Sequence, residues 1–124
     1  MQLVVPAVLL VVALIHALPV MGVAGAAQLT RLYGVAVDDP NLELAMRHRA
    51  VLFGLLAAFM AVAAFDPALH AHGLVAGIVS VASFIVLATR VGPCSAAMLR
   101  VVRVDGVALA LLLGAGAVHL LSGR

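Results

Sequence analysis

The chain has 124 residues, 66% apolar and 10% charged, with seven basic side chains against five acidic ones and a mean hydropathy of +1.29. A core built from so short a chain cannot hide that much apolar surface, so lipid must act as the solvent for most of it. The small basic surplus rests on arginines that flank apolar runs; this excludes a nucleic-acid-binding stripe and points to membrane lipids, through their anionic headgroups, as partners.

The first apolar run covers residues 3–21. Small residues from Val23 to Ala27 look like a processing site, but Met1-Gln2 supplies no basic n-region, so the run reads as a retained helix and not as a cleaved signal peptide. His16 lies inside it. Pro19, three residues on, cannot donate to the Ile15 carbonyl, which predicts a bend beside the imidazole. That imidazole either bonds a backbone carbonyl or a polar side chain of another helix, or serves as a functional group. The stretch from Gln28 to Gly34 then predicts a short interfacial helix stopped by glycine, with Leu29, Leu32 and Tyr33 facing lipid.

Asp39-Pro40 places an N-cap before a proline at the first helical position, so the second helix is expected over 40–65, amphipathic as far as Arg49 and apolar beyond. Asp66-Pro67 repeats the signal for a third helix over 67–90, and Gly92-Pro93 separates it from a fourth over 95–121. The expected fold is all-α: one membrane domain over 1–124, four transmembrane helices in a left-handed up-down bundle, with a short interfacial helix after the first. The purely apolar stretches of the last three helices, about 24 Å each from the helical rise, imply local bilayer thinning or snorkelling of the flanking arginines. Small residues recur at helical spacing: Ala50, Gly54 and Ala58; Gly73 and Gly77; Gly106, Ala110 and Gly114. Such stripes permit close packing within the bundle or between copies.

Six of the seven arginines fall in alternate connections. Arg31, Arg47 and Arg49 belong to the link after the first helix, and Arg90, Arg100 and Arg103 to the link after the third, leaving only Arg124 on the other face. Positive-inside counting puts both Arg-bearing links in the cytoplasm and both termini outside.

Within these links Glu43 and Arg47 are spaced to pair along the second helix. Asp105 has only Val101, Val102, Ala108 and Leu109 at helical neighbour positions, so its carboxylate needs a partner from elsewhere or a cavity. Arg49, Arg47, His48 and His16 lie at the right depth, with an Arg49–Asp105 or Arg47–Asp105 contact the first expectation. Such a contact is either an interhelical clamp or part of a binding or proton-handling site. At the other end Asp66, His70, His72 and His119 could gather, first of all as a solvated cluster at headgroup level; as metal ligands they are weak candidates, because His70 and His72 point apart if the segment is helical. The single Cys94 rules out an internal disulfide and a CxxC redox pair, and the absence of lysine removes Schiff-base and phosphate-loop chemistry. Ser80 and Ser83 read as ordinary packing or hydrogen-bonding groups. No cofactor is implied.

Leu32-Tyr33-Gly34, Asp39-Pro40-Asn41-Leu42-Glu43, the run from Met46 to Gly54 that opens Met-Arg-His-Arg, Ser80-Val81-Ala82-Ser83-Phe84 and Arg103-Val104-Asp105 together carry a resemblance. The chain resembles a family of small four-helix bacterial inner-membrane proteins without an established function, over nearly its whole length. Members often carry the label phosphopantetheine adenylyltransferase. That chemistry needs H-x-G-H after a strand in a nucleotide-binding sheet, whereas His70-Ala71-His72-Gly73 has the order H-x-H-G in a helical context. In helix count and size the chain is also similar to DoxX-like membrane proteins. The resemblance implies an inner-membrane location and importance for Arg47, His48, Arg49 and Asp105.

Three functions follow as expectations. The first is a non-enzymatic module that packs against itself, as a homo-oligomer, or against another membrane protein. The second is a small carrier or binder of a lipophilic or protonatable compound at the Arg/His/Asp cluster. The third, a membrane-bound enzyme, is least supported because no acid, base and nucleophile can be identified together.

Overall fold

Helix boundaries follow the local chemistry of the chain ends. A computed structural model describes residues 2–123, so Arg124, expected opposite the other arginines, lies outside the described residues. Helix α1 (Val4–Ala17) loses its α-helical bonding at Pro19 and tightens into a 3₁₀ segment, Leu18–Ala24, so the expected bend takes the form of a continued but narrower helix. Gly25, at φ 138°, turns the chain into α2 (Ala26–Tyr33), and Gly34, at φ 66°, ends α2 in the left-handed conformation. The Asp39 carboxylate accepts from the Asn41 N–H at 2.8 Å and opens α3 (Pro40–Phe65). Asp66 does the same for Ala68 at 3.0 Å, leading through one 3₁₀ turn (Pro67–Leu69) into α4 (His70–Val91). After Gly92, the Ser95 hydroxyl accepts from the Met98 N–H at 3.1 Å and starts α5 (Ala96–Ser122), a cap not anticipated from sequence.

The long helices occupy the corners of a square. α1 and α4 each pack on both α3 and α5, and α3 and α5 sit diagonally. Matching depths fix the directions. Gly73 lies against Ala63 and Gly77 against Met60, so α3 and α4 are antiparallel; Gly77 also lies against Leu112, and His70 beside His119, so α4 and α5 are too. His16 of α1 meets Phe53 of α3 while the following 3₁₀ segment brings Val20 to Gly54 and Val23 to Arg47, again antiparallel. The two Arg-bearing connections therefore share one end of the bundle.

The core is thin: Leu9, Val12, Met60, Val81 and Leu112 are its fully buried larger side chains. Exposed large apolar side chains outnumber buried ones, and no span has more than 28% of its most apolar window buried. This inverts the arrangement of a soluble bundle. Among the described residues four helices are long and apolar enough to cross a membrane, Val4–Ala24, Pro40–Phe65, Pro67–Val91 and Ala96–Ser122.

The small-residue stripes divide in their use. Gly73 and Gly77 are buried, and a Cβ at Gly73 would stand 2.9 Å from that of Ala63. Ala50 is buried and Gly54 meets Val20, but Ala58 turns outward and Ala57 takes its place. A strict four-residue repeat drifts around a 3.6-residue helix, and Ala57 compensates the drift. On α5, Gly106, Ala110 and Gly114 all face out, with nothing within 4 Å of a Cβ placed at either glycine.

The expectation that α2 lays Leu29 and Tyr33 against lipid is overturned. Both are buried, at 1% and 3% exposure, in a second small core with Val37, against which Met46, Met98 and Val101 pack. Gly22 makes this docking feasible, since a Cβ there would lie 2.7 Å from a methyl of Leu29. α2 caps the Arg-bearing end of the bundle.

A candidate binding cleft beneath α2

Beneath α2, between the end of α1, the first half of α3 and the first half of α5, lies a cleft of about 390 Å³. That volume falls near the lower end of ligand pockets, roughly 300–1,000 Å³. Its walls are largely apolar, with Ile15, Leu18 and Pro19 on one side and Ala97, Val101 and Val104 on the other. The polar groups facing it come from four elements: His16 from α1, Arg31 and Tyr33 from α2, Arg49 from α3, and Arg100 and Asp105 from α5.

His16 is buried. Its Nδ1 lies 2.9 Å from the Val12 carbonyl, which can only accept, so Nδ1 carries the proton. In the neutral ring Nε2 then accepts from the Ser80 hydroxyl, also at 2.9 Å. The two alternatives read from sequence, a backbone carbonyl or a polar side chain on another helix, are both realised. Of the two roles read for Ser80, hydrogen bonding is the one realised: it joins α4 to α1 across the bundle. It does not line the cleft, so the Ser80–His16 pair acts as an interhelical bond.

Arg49 is the most constrained charge of the site. One of its terminal nitrogens donates to the Tyr33 hydroxyl at 2.7 Å. The guanidinium carbon stands 4.4 Å from the Phe53 ring centre, 5.4 Å from that of Tyr33 and 5.5 Å from that of Phe84. The chain has only five aromatic residues (four Phe and one Tyr), so three of the five surround this one cation. Ring faces attract a guanidinium and fix its plane. Tyr33 is itself positioned by its carbonyl, which accepts from the Ser95 hydroxyl and thereby ties the end of α2 to the start of α5.

Asp105 has no such partner. The expected Arg49–Asp105 or Arg47–Asp105 contact is absent: among the described residues the single ion pair within 4.0 Å joins Arg47 to Glu43. The cause is competition. Arg49 is taken by Tyr33 and the rings, while Arg47 turns away and donates through Nε to the Val23 carbonyl at 3.0 Å. Among the described residues no fully buried side-chain polar atom lacks a partner, so the Asp105 oxygens and the free N–H groups of Arg49 are open to the cleft.

The six polar residues grouped from sequence therefore separate. His16, Arg49 and Asp105 share the cleft; Glu43 and Arg47 form a half-exposed pair at the 4.0 Å limit, the kind that adds little stability; His48 is exposed and does not line the cleft. Tyr33, Phe53, Arg31 and Arg100 were missed. Arg49 and Phe53 stand four apart on α3, and Ala97, Val101 and Asp105 repeat every four residues on α5, so the shared faces were present as a signal.

At the opposite end the expected gathering is incomplete. His70 and His119 meet edge to face with ring centres 6.4 Å apart. Asp66 is engaged as a cap, and His72 is exposed in the first turn of a regular helix, where it points away from His70. Among the described residues no group of three His, Cys, Asp or Glu side chains is placed to hold a metal ion.

No protein-family model, curated protein or solved structure matches the chain.

Proposed function

We propose that this chain is an integral protein of the bacterial inner membrane that binds a lipophilic compound with a polar head in the cleft beneath α2. The observation that carries this reading is an Asp105 carboxylate, unpaired and open to an apolar-walled cleft, facing a preorganised Arg49. An interhelical clamp would have brought these two charges together. By the positive-inside rule the cleft lies at the cytoplasmic end, with both termini outside. The resemblance to the small four-helix inner-membrane family is part of the same proposal. Native mass spectrometry of the detergent-purified protein tests it: a bound small amphiphile at one per chain supports the reading, particularly if Val104→Trp, which fills the cleft from an exposed wall position, removes it. Absence of any adduct from the unaltered protein, across several mild detergents, would overturn it.

A second reading, a non-enzymatic packing module, has one observation in its favour: the outward Gly106–Ala110–Gly114 stripe of α5. Disulfide crosslinking of Ala110→Cys in a Cys94→Ala background would support self-association. A strictly monomeric protein whose membrane crosslinking captures no neighbour would remove it.

A further inference from the structure

We infer that the polar head taken by this cleft is an anion, a carboxylate or a phosphate, carried on an apolar chain. This deepens the proposed binding function and rests on it. Three arginines from three separate elements, Arg31 on α2, Arg49 on α3 and Arg100 on α5, line the cleft against one acidic residue, Asp105. With His16 neutral, as its bond to Val12 and its contact with Ser80 allow, the site carries a surplus of positive charge next to apolar walls. A cationic head would be repelled by this surplus and a neutral one would form no ion-paired bond with it. An anion pairs with it.

The geometry also divides the labour. Arg49 is held by its rings and Tyr33, so it loses little freedom when it binds, and it still has donors to spare. Arg31 and Arg100 are exposed residues at the rim, where long side chains can close over a head from two sides. Asp105 is the negative group within the same cleft. It repels the anion, and so limits how strongly the head is held. The sign of its effect separates this inference from a cation or proton carrier: in a carrier of that kind Asp105 would bind the cargo, and neutralising it would abolish binding.

The test uses the full chain in neutral phosphatidylcholine nanodiscs and four probes of equal chain length: dodecanoate, dodecyl phosphate, dodecanol and dodecyltrimethylammonium. Binding of the two anions at least about tenfold tighter than that of the other two is expected. Arg49→Gln and, as a rim variant without a structural bond, Arg100→Gln are each expected to weaken the anions by several fold, Asp105→Asn to tighten them, and Arg47→Gln, outside the cleft, to leave them unchanged. Equal binding of all four probes, lost in Val104→Trp, would keep the cleft as a binding site and overturn the anionic head. Loss of anion binding in Asp105→Asn would overturn it as well. Absence of binding by every probe would remove both this inference and the binding function beneath it. Competition between dodecanoate and added phosphatidylglycerol would assign the head to a bilayer lipid; anion binding that survives such lipid would assign it to a free lipophilic acid. Either result supports the anionic head.

Discussion

The two ends of this bundle are built from the same four helices and close in opposite ways. At the His70–His119 end and through the middle, Gly73 and Gly77 let α4 approach α1, α3 and α5 until only Leu9, Met60, Ala63 and Leu112 separate the backbones. At the arginine end the facing residues are His16, Phe53, Arg49 and Asp105, too large and too polar to interlock, and a cleft is left between them. In lipid there is no hydrophobic force to close such a gap, so side-chain size and polarity decide where helices touch. Packing holds the first region; rings, hydrogen bonds and the docked α2 hold the second.

This contrast is broken most strongly at the glycines. Gly73→Leu should cost about 3 kcal/mol, because the Cβ of Ala63 is fixed to its backbone and cannot move aside. Gly114→Leu, on the open face of α5, should stay within about 0.5 kcal/mol of the unaltered protein. Reversible unfolding in mixed micelles of mild detergent and dodecyl sulfate compares the two; equal costs would remove the distinction between a packed and an open glycine stripe. Next, Arg49→Ala should lower stability by about 2 kcal/mol through loss of its ring contacts and the Tyr33 bond. The same unfolding assay reads it, and an increase in stability would mean that the rings do not cage the cation. Ser80→Ala should cost about 0.6 kcal/mol, the typical size of an interhelical hydrogen bond in a membrane. A cost above about 2 kcal/mol in that assay would point to a larger network around His16. Smallest is Arg47→Gln, whose pair with Glu43 is half exposed and long and whose bond to the Val23 carbonyl lies at the surface; a change below about 0.5 kcal/mol is expected in the unfolding free energy.

The elements were legible because their ends are encoded locally. Asp39-Pro40 and Asp66-Pro67 cap and start helices with their own side chains, and Gly34 and Gly92 stop the chain with conformations that other residues rarely adopt. The cleft was only half legible. That Asp105 lacks a partner on its own helix follows from its neighbours, but what stands opposite depends on contacts far apart in the chain. Arg49 had two available attractions, and the Tyr33 hydroxyl with three rings won over the carboxylate. The choice turned on α2, whose apolar face suits lipid and protein equally by composition and was settled by the space that Gly22 leaves for Leu29. The His16–Ser80 bond joins helices on one diagonal of the bundle, a relation no local pattern records.

The openness of the arginine end can be measured directly by thiol labelling. In a Cys94→Ala background, Val101→Cys places a thiol on the cleft wall and Leu112→Cys places one in the fully buried half. A water-soluble methanethiosulfonate reagent should modify the first readily, with dodecanoate slowing that reaction, and should leave the second unmodified. Equal protection of both positions without any added amphiphile would show a bundle sealed at both ends, and the cleft with its unpaired Asp105 would have to be given up.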